Sequence, residues 1–214
     1  MRIAVLASGG GTNLQVLLDT VHGRETCSVA LVAGNRPDAG AFDRARRHDI
    51  PTAVFDDPDD GPSMLDALAR HRIDAVILAG YLKRVPEDVT AAFPERMVNI
   101  HPALLPAFGG PGMYGRHVHR AVLASGATVS GATVHLVSPE YDRGQILAQW
   151  PVPVHRHDTP DSLAARVLHV EHALLPAVVR NADPDGRFRS LPIPAERFTA
   201  GNGQSLTPAT LVAD

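Results

Sequence analysis

The sequence predicts an α/β protein of three layers: a mostly parallel, open, twisted sheet between helices, with antiparallel strands added toward its C-terminal end. Three observations carry this. Apolar runs at 3–7, 27–33 and 73–79 are each followed by a polar or glycine-rich loop and then a helical face, the order of parallel units. The runs are apolar on both sides, as strands covered by helices on both faces must be. Two β-rich segments, 128–137 and 145–154, are then joined by a short connection, the pattern of two antiparallel strands.

Taken in order, Ile3-Ala4-Val5-Leu6-Ala7 reads as a buried strand, Ser8-Gly9-Gly10-Gly11-Thr12-Asn13 as a turn, and Leu14, Leu17, Leu18 and Val21 as one face of a helix. Glycines let backbone approach a ligand, and helix-terminal N–H groups hold anions. The turn lacks the Gly-Lys-Thr/Ser ending of an ATP loop. It also misses the dinucleotide spacing from Gly9, because position 14 is Leu. One phosphate of a mononucleotide fits it better than either; a plain tight βα turn stays open as an alternative.

Residues 27–33 form a second strand, Ala41, Phe42 and Ala45 the face of a helix, and 52–55 a short third strand. Asp56 to Gly61 is an acidic turn without the register or terminal Glu of a calcium loop, so it reads as solvated surface. Met64, Leu65, Leu68 and Ala69 give another helix before the strand at 73–79. Gly80-Tyr81-Leu82-Lys83-Arg84-Val85 lies at that strand's end, where a binding loop belongs. Leu82 and Val85 either wall a site or pack the helix at 87–93.

The stretch Met97-Val98-Asn99-Ile100-His101-Pro102 is the most informative. If it is extended, Asn99 and His101 project to one side, since side chains alternate along a strand. Pro102 cannot donate to a central ladder, so the strand ends beside them. Patterning alone leaves two readings: a polar pair doing chemistry at a strand's carboxyl end, or a turn with a semi-buried histidine. Ala107 to Gly115 carries too many glycines for a regular element and is expected to be an extended, adjustable loop. Arg116, His117, His119 and Arg120 follow it without a zinc spacing, and a helix runs on to Ala124. Asp142 sits in the connection between the β-rich segments, where Asp-x-Gly is also an ordinary turn composition. Thr159-Pro160-Asp161-Ser162 opens a long helix carrying Glu171, and Arg187-Phe188-Arg189 is expected to form a short strand.

Composition narrows the classes. The chain has 214 residues, 44% hydrophobic and 5% aromatic, with a formal charge of -3, which fits an ordinary globular protein and gives no electrostatic reason to expect long nucleic-acid contacts. A single cysteine, Cys27, excludes an intrachain disulfide or a cysteine-built metal cluster, and the scattered histidines give no metal-ligand pattern. The apolar start is too short for a signal core, and no charge-free run approaches a membrane span, so a soluble cytoplasmic protein is expected. Oligomeric state, a homodimer included, is not readable from the pattern.

Three motifs together, Ala7-Ser8-Gly9-Gly10-Gly11-Thr12-Asn13-Leu14, Asn99-Ile100-His101-Pro102-Ala103-Leu104-Leu105-Pro106 and Glu140-Tyr141-Asp142-Arg143-Gly144, closely resemble the phosphoribosylglycinamide formyltransferase family over nearly the whole chain. The resemblance implies a formyltransferase fold in one domain, residues 1–190. Its first half, to about 100, would be Rossmann-like and mononucleotide-binding, its second half would carry folate and catalysis, and 191–214 would form an irregular tail. It implies formyl transfer from 10-formyltetrahydrofolate to the amino group of glycinamide ribonucleotide in purine biosynthesis, both being small-molecule partners, with no metal.

By the same resemblance Asn99, His101 and Asp142 are catalytic. Gly10, Gly11, Thr12 and Asn13 hold the acceptor's phosphate, and Glu171 its ribose. Leu82, Lys83, Val85, Asn99, Glu140 and Asp142 contact folate. The sequence departs from the family in a longer, glycine-richer 108–115 segment and in Lys83-Arg84. The alternatives carried forward are hydrolysis of 10-formyltetrahydrofolate, transfer to another amine, and a noncatalytic nucleotide-binding module.

Overall fold

The computed structural model describes residues 1–24 and 27–191; the expected C-terminal tail beyond 191 lies outside them. In chain order the elements are β1 Arg2–Leu6, α1 Thr12–Thr20, β2 Ser28–Gly34, α2 Gly40–Arg47, β3 Thr52–Val54, α3 Gly61–Arg70 and β4 Ala75–Leu78. Then come α4 Glu87–Ala92, β5 Met97–His101, α5 Arg116–Ala124, β6 Val129–Leu136, β7 Ile146–Pro153 and α6 Pro160–Arg180. They build one seven-stranded sheet in the order β3-β2-β1-β4-β5-β6-β7. The first five strands are parallel, and β6 and β7 add antiparallel at one edge.

Alternation along the strands makes the three layers. Ile3 and Val5 of β1 face a core cluster with Leu14 and Leu17 of α1, Phe42 of α2, Val118 of α5 and Val167 of α6. Ala4 and Leu6 face the opposite cluster, with Met64 and Leu68 of α3 and Val89 of α4. On β5, Val98 and Ile100 join the first cluster and Met97 the second. Asn99 and His101 therefore project on the α3/α4 side of the sheet.

The helix α6 is long and apolar enough to span a membrane by length and composition, but 56% of its most apolar window is buried inside this fold. It is the core helix of the β6–β7 half, started by a capping box in which Ser162 N–H donates to Thr159 Oγ1 and Thr159 N–H donates to Ser162 Oγ.

Two expectations are corrected. Residues 187–189 form no strand: Phe188 is a single aromatic peg in the core, its N–H donating to the Glu95 carbonyl, and flanking Arg187 and Arg189 pair with Asp185 and Asp183. The segment 107–115 is a succession of tight turns, not an extended run, because Phe108, Gly110, Gly112 and Gly115 all adopt positive φ. The acidic turn is exposed as expected, but Asp60 also does structural work by accepting from Ser63 N–H at the start of α3.

Candidate active site

The strand β5 ends at His101, and Asn99 and His101 both line a cavity of about 530 Å³ that also takes in residues of α1, α5 and α6. The β5–β6 register places Asn99 directly opposite His135, so their side chains meet on one face. The His135 Nδ1–H donates to the Leu136 carbonyl at 2.8 Å. While the ring is neutral, Nε2 accepts from the Asn99 amide 3.1 Å away; protonated, it donates to Asp142 Oδ1, 3.5 Å away. Asn99 Nδ2 also stands 3.5 Å from Asp142 Oδ1.

His101 is 3% exposed. Its Nε2–H donates to the Phe108 carbonyl at 2.9 Å, and Nδ1 faces Asp142 Oδ2 at 3.6 Å. Burial lowers the His101 pKa from its ordinary value, against the opposing pull of Asp142 and the Phe108 carbonyl. At Asp142 burial acts upward. The His135 hydrogen bond, the Gly110 N–H at 2.8 Å and the His101 and His135 rings outweigh it and hold the carboxyl below its usual range. The site thus holds an ionised carboxylate between two buried imidazoles and a primary amide.

Asp142 itself takes φ 54°, a left-handed conformation that Asp tolerates better than most residues. Gly109 passes close beside it: a Cβ on Gly109 would lie 2.5 Å from Leu105 Cδ2 and 3.1 Å from Asp142 Cβ. Only a residue without a side chain lets this loop press the Gly110 N–H onto the carboxylate.

The helices α1 and α6 meet at the same cavity through Asn13 and Glu171. Asn13 Nδ2 donates to Glu171 Oε2 at 2.6 Å, and Asn13 Oδ1 is buried with no partner. Burial raises the Glu171 pKa, the Asn13 hydrogen bond opposing it. Gly10 and Thr12 are exposed and Gly11 half-buried beside this pair, outside the cavity's lining, at the start of α1. Gly11 is left-handed at φ 71°, and a Cβ there would meet Ala41 Cα at 2.8 Å. Ser8 ties the neighbouring loops together, its Oγ donating to Asn35 Oδ1 and accepting from Leu82 N–H.

The expected folate-side residues also line the cavity: Leu82, Lys83 and Val85 from the loop after β4, and Glu140 from the β6–β7 connection. Leu82 is 43% exposed while Val85 is buried, so Val85 serves wall and core together. His135 and His119 are cavity residues that sequence reasoning did not assign to the site. His119 is buried on α5 with Nδ1 unpartnered, and burial and His101 both lower its pKa. Cys27 lies outside this cavity, its thiol pushed up to about 11 by burial.

An α/β sheet that gathers an amide, two imidazoles and a carboxylate around a cavity at its strand ends has the make-up of a small-molecule site with oxyanion-binding and acid–base groups. Residues 1–179 match the family model described as formyl transferase, and the chain belongs to that family. A phosphoribosylglycinamide formyltransferase of Escherichia coli is 33% identical over 221 residues, covering 100% of both chains. A chloroplastic phosphoribosylglycinamide formyltransferase of Arabidopsis thaliana is 48% identical over 186 residues, 83% of this chain. This chain spans 64% of the Arabidopsis relative and 59% of one from Vigna unguiculata. The crystal structure of glycinamide ribonucleotide transformylase 1 from Symbiobacterium toebii superposes with a TM-score of 0.76 at 40% identity, covering 82% of this chain and 84% of the other.

Proposed function

We propose that this chain transfers the formyl group of 10-formyltetrahydrofolate to the amino group of N1-(5-phospho-ribosyl)glycinamide, giving the N-formyl product and tetrahydrofolate. The observation that carries the reading is that Asn99, His101 and Asp142 line the same cavity as Asn13 and Glu171. The names of the relatives agree with it.

In this reading the amine attacks the formyl carbon, a C–N bond forms, and the carbonyl oxygen becomes an oxyanion. The Asn99 amide, with one N–H held by His135, donates the other to that oxygen by releasing its 3.5 Å contact with Asp142 Oδ1, and a protonated His101 adds positive charge beside it. With Nδ1–H toward Asp142 and Nε2–H toward Phe108, the ring makes a direct bond to the oxyanion only when Nε2–H leaves the Phe108 carbonyl. The bond from carbon to the folate nitrogen then breaks. One proton moves from the new amide nitrogen to the departing nitrogen, through a water accepted by the Asp142 carboxylate. Gly10 to Asn13 receive the acceptor's phosphate, Glu171 accepts from its ribose hydroxyls, and Leu82, Lys83, Val85 and Glu140 border the folate.

The test is tetrahydrofolate formation by the purified protein with and without the aminoribonucleotide. Acceptor-dependent turnover is expected. Acceptor-independent turnover would identify a hydrolase, turnover with other amines only a different transferase, and tight binding without turnover a noncatalytic module.

A further inference from the structure

The loop before α1 is held from behind by α2. The Ala41 N–H donates to the Gly9 carbonyl at 3.1 Å, and Arg44 Nε–H donates to the Gly10 carbonyl at 2.7 Å. Arg44 Nη1–H also donates to Gln15 Oε1 at 2.9 Å, so the guanidinium bridges the loop and the first turn of α1. The contact is close because neither partner has bulk at the seam: a Cβ on Gly40 would lie 3.4 Å from Gly10 Cα.

In a planar trans peptide the C=O and the following N–H point in opposite directions. Fixing the Gly9 and Gly10 carbonyls against α2 therefore aims the Gly10 and Gly11 N–H groups away from α2. Neither these two N–H groups nor those of Thr12 and Asn13 have a protein acceptor among the described residues. Beside them, the Asn13 Oδ1, on a residue 8% exposed, is also unpartnered, an acceptor for a hydroxyl of the ligand that carries the anion.

We infer that Arg44 is a positioning residue for the substrate's phosphate: it clamps the Gly10 carbonyl so that the Gly10–Gly11 peptides present their N–H groups to a phosphate monoester at the start of α1. The inference rests on the proposed reading in taking that monoester to belong to the aminoribonucleotide. Arg44 acts through the loop, from the side opposite the anion, and its charge polarises the peptide it holds. A freely turning Gly-Gly-Gly segment would sample many orientations of these planes, and the clamp removes that freedom before the ligand arrives.

The test compares Arg44→Ala, Arg44→Gln and Arg44→Lys with the parent protein, using the phosphorylated acceptor and the same acceptor without its phosphate. For Arg44→Ala the KM of the phosphorylated acceptor is expected to rise roughly tenfold, kcat and the KM for formyl folate changing far less. The dephosphorylated acceptor should lose little, and Arg44→Lys, which retains a donor for the Gly10 carbonyl, should recover part of the loss. Equal losses for both acceptors, or an unchanged KM for the phosphorylated one, would overturn the assignment. If the parent protein forms no formylated product, the proposed reaction falls, and calorimetric titration with ribose 5-phosphate still decides the role of Arg44. Weaker binding to the variants supports it, and equal or absent binding overturns it. Should Arg44→Ala not fold, Arg44→Gln removes the charge with similar bulk and reads the same quantities.

Discussion

Oδ2 of Asp142 stands 3.6 Å from Nδ1 of His101, close enough for an ion pair once the ring is protonated and too long for a tight hydrogen bond while it is neutral. The carboxylate is thus what opposes the burial that lowers the His101 pKa below 6.5. In Asp142→Asn the larger opposing pull is gone, and only the Phe108 carbonyl still works against burial. The His101 titration followed by proton NMR should then move to lower pH, and kcat should fall on the order of a hundredfold or more. A midpoint that stays in place would show that the pair does not communicate.

His135 serves Asn99 more than it serves the reaction directly. With its Nδ1–H on the Leu136 carbonyl, the ring has an acceptor at Nε2 that turns the amide nitrogen of Asn99 toward Asp142. His135→Leu removes the acceptor and frees the amide to rotate. We expect kcat to drop about tenfold, the rate equivalent of one neutral hydrogen bond of about 1.4 kcal/mol, with both KM values nearly constant. Steady-state kinetics with each substrate varied in turn checks this; a change confined to KM would make His135 a binding residue instead.

The difference between His135 and Asn99 shows where sequence reasoning stops. Asn99 and His101 were legible because a strand's alternation puts both on one side and Pro102 ends it. The strand–loop–helix order of β1 to β5 and the β6–β7 pair follow from apolar runs of the right length. His135 lies 36 residues away, and only the Asn99↔His135 register makes it a neighbour. Periodicity reveals a strand but not which residue of another strand it faces. Asp142 joined the pair through family resemblance, since an Asp in a turn is ordinary composition. Arg44 carries no signal of its role in the sequence, because its partner is a backbone carbonyl 34 residues away. Phe188 was misread for the converse reason: three residues with an aromatic centre resemble a strand, whereas burial of one ring needs no ladder.

Gly109→Ala tests whether the 107–115 turns set the position of Asp142. The added methyl would sit 2.5 Å from Leu105 Cδ2 and 3.1 Å from Asp142 Cβ. Leu105 can relieve its contact by turning its side chain, whereas relief at Asp142 shifts that residue against the loop and loosens the Gly110 N–H held on its carboxylate at 2.8 Å. Overpacking of this kind costs about 1–3 kcal/mol, a fall in Tm of roughly 2–12 °C for a chain of this size. At a temperature where the variant stays folded, kcat should still be reduced, because Asp142 has lost a partner. Full activity with a lowered Tm would confine the loop to a structural role.

Glu171 sets stability against binding. Burial raises its pKa above 4.5 in the folded chain, so the unfolded chain releases this proton at lower pH than the folded one. Between those two values the folded state binds more protons, and stability falls as pH rises. Above the folded pKa the whole penalty of an ionised, buried carboxylate remains. Glu171→Gln removes that penalty and keeps an oxygen to accept from Asn13 Nδ2. The variant should therefore melt higher than the parent at pH 8, and the gap should close as pH falls toward 4. If Glu171 accepts from the acceptor's ribose hydroxyls, the same substitution trades a charged for a neutral acceptor, raising the acceptor KM about tenfold or more. Differential scanning calorimetry across pH, alongside acceptor kinetics, measures both effects. A variant no more stable at pH 8 than at pH 4, relative to the parent, would mean that the folded site already compensates the carboxylate's charge.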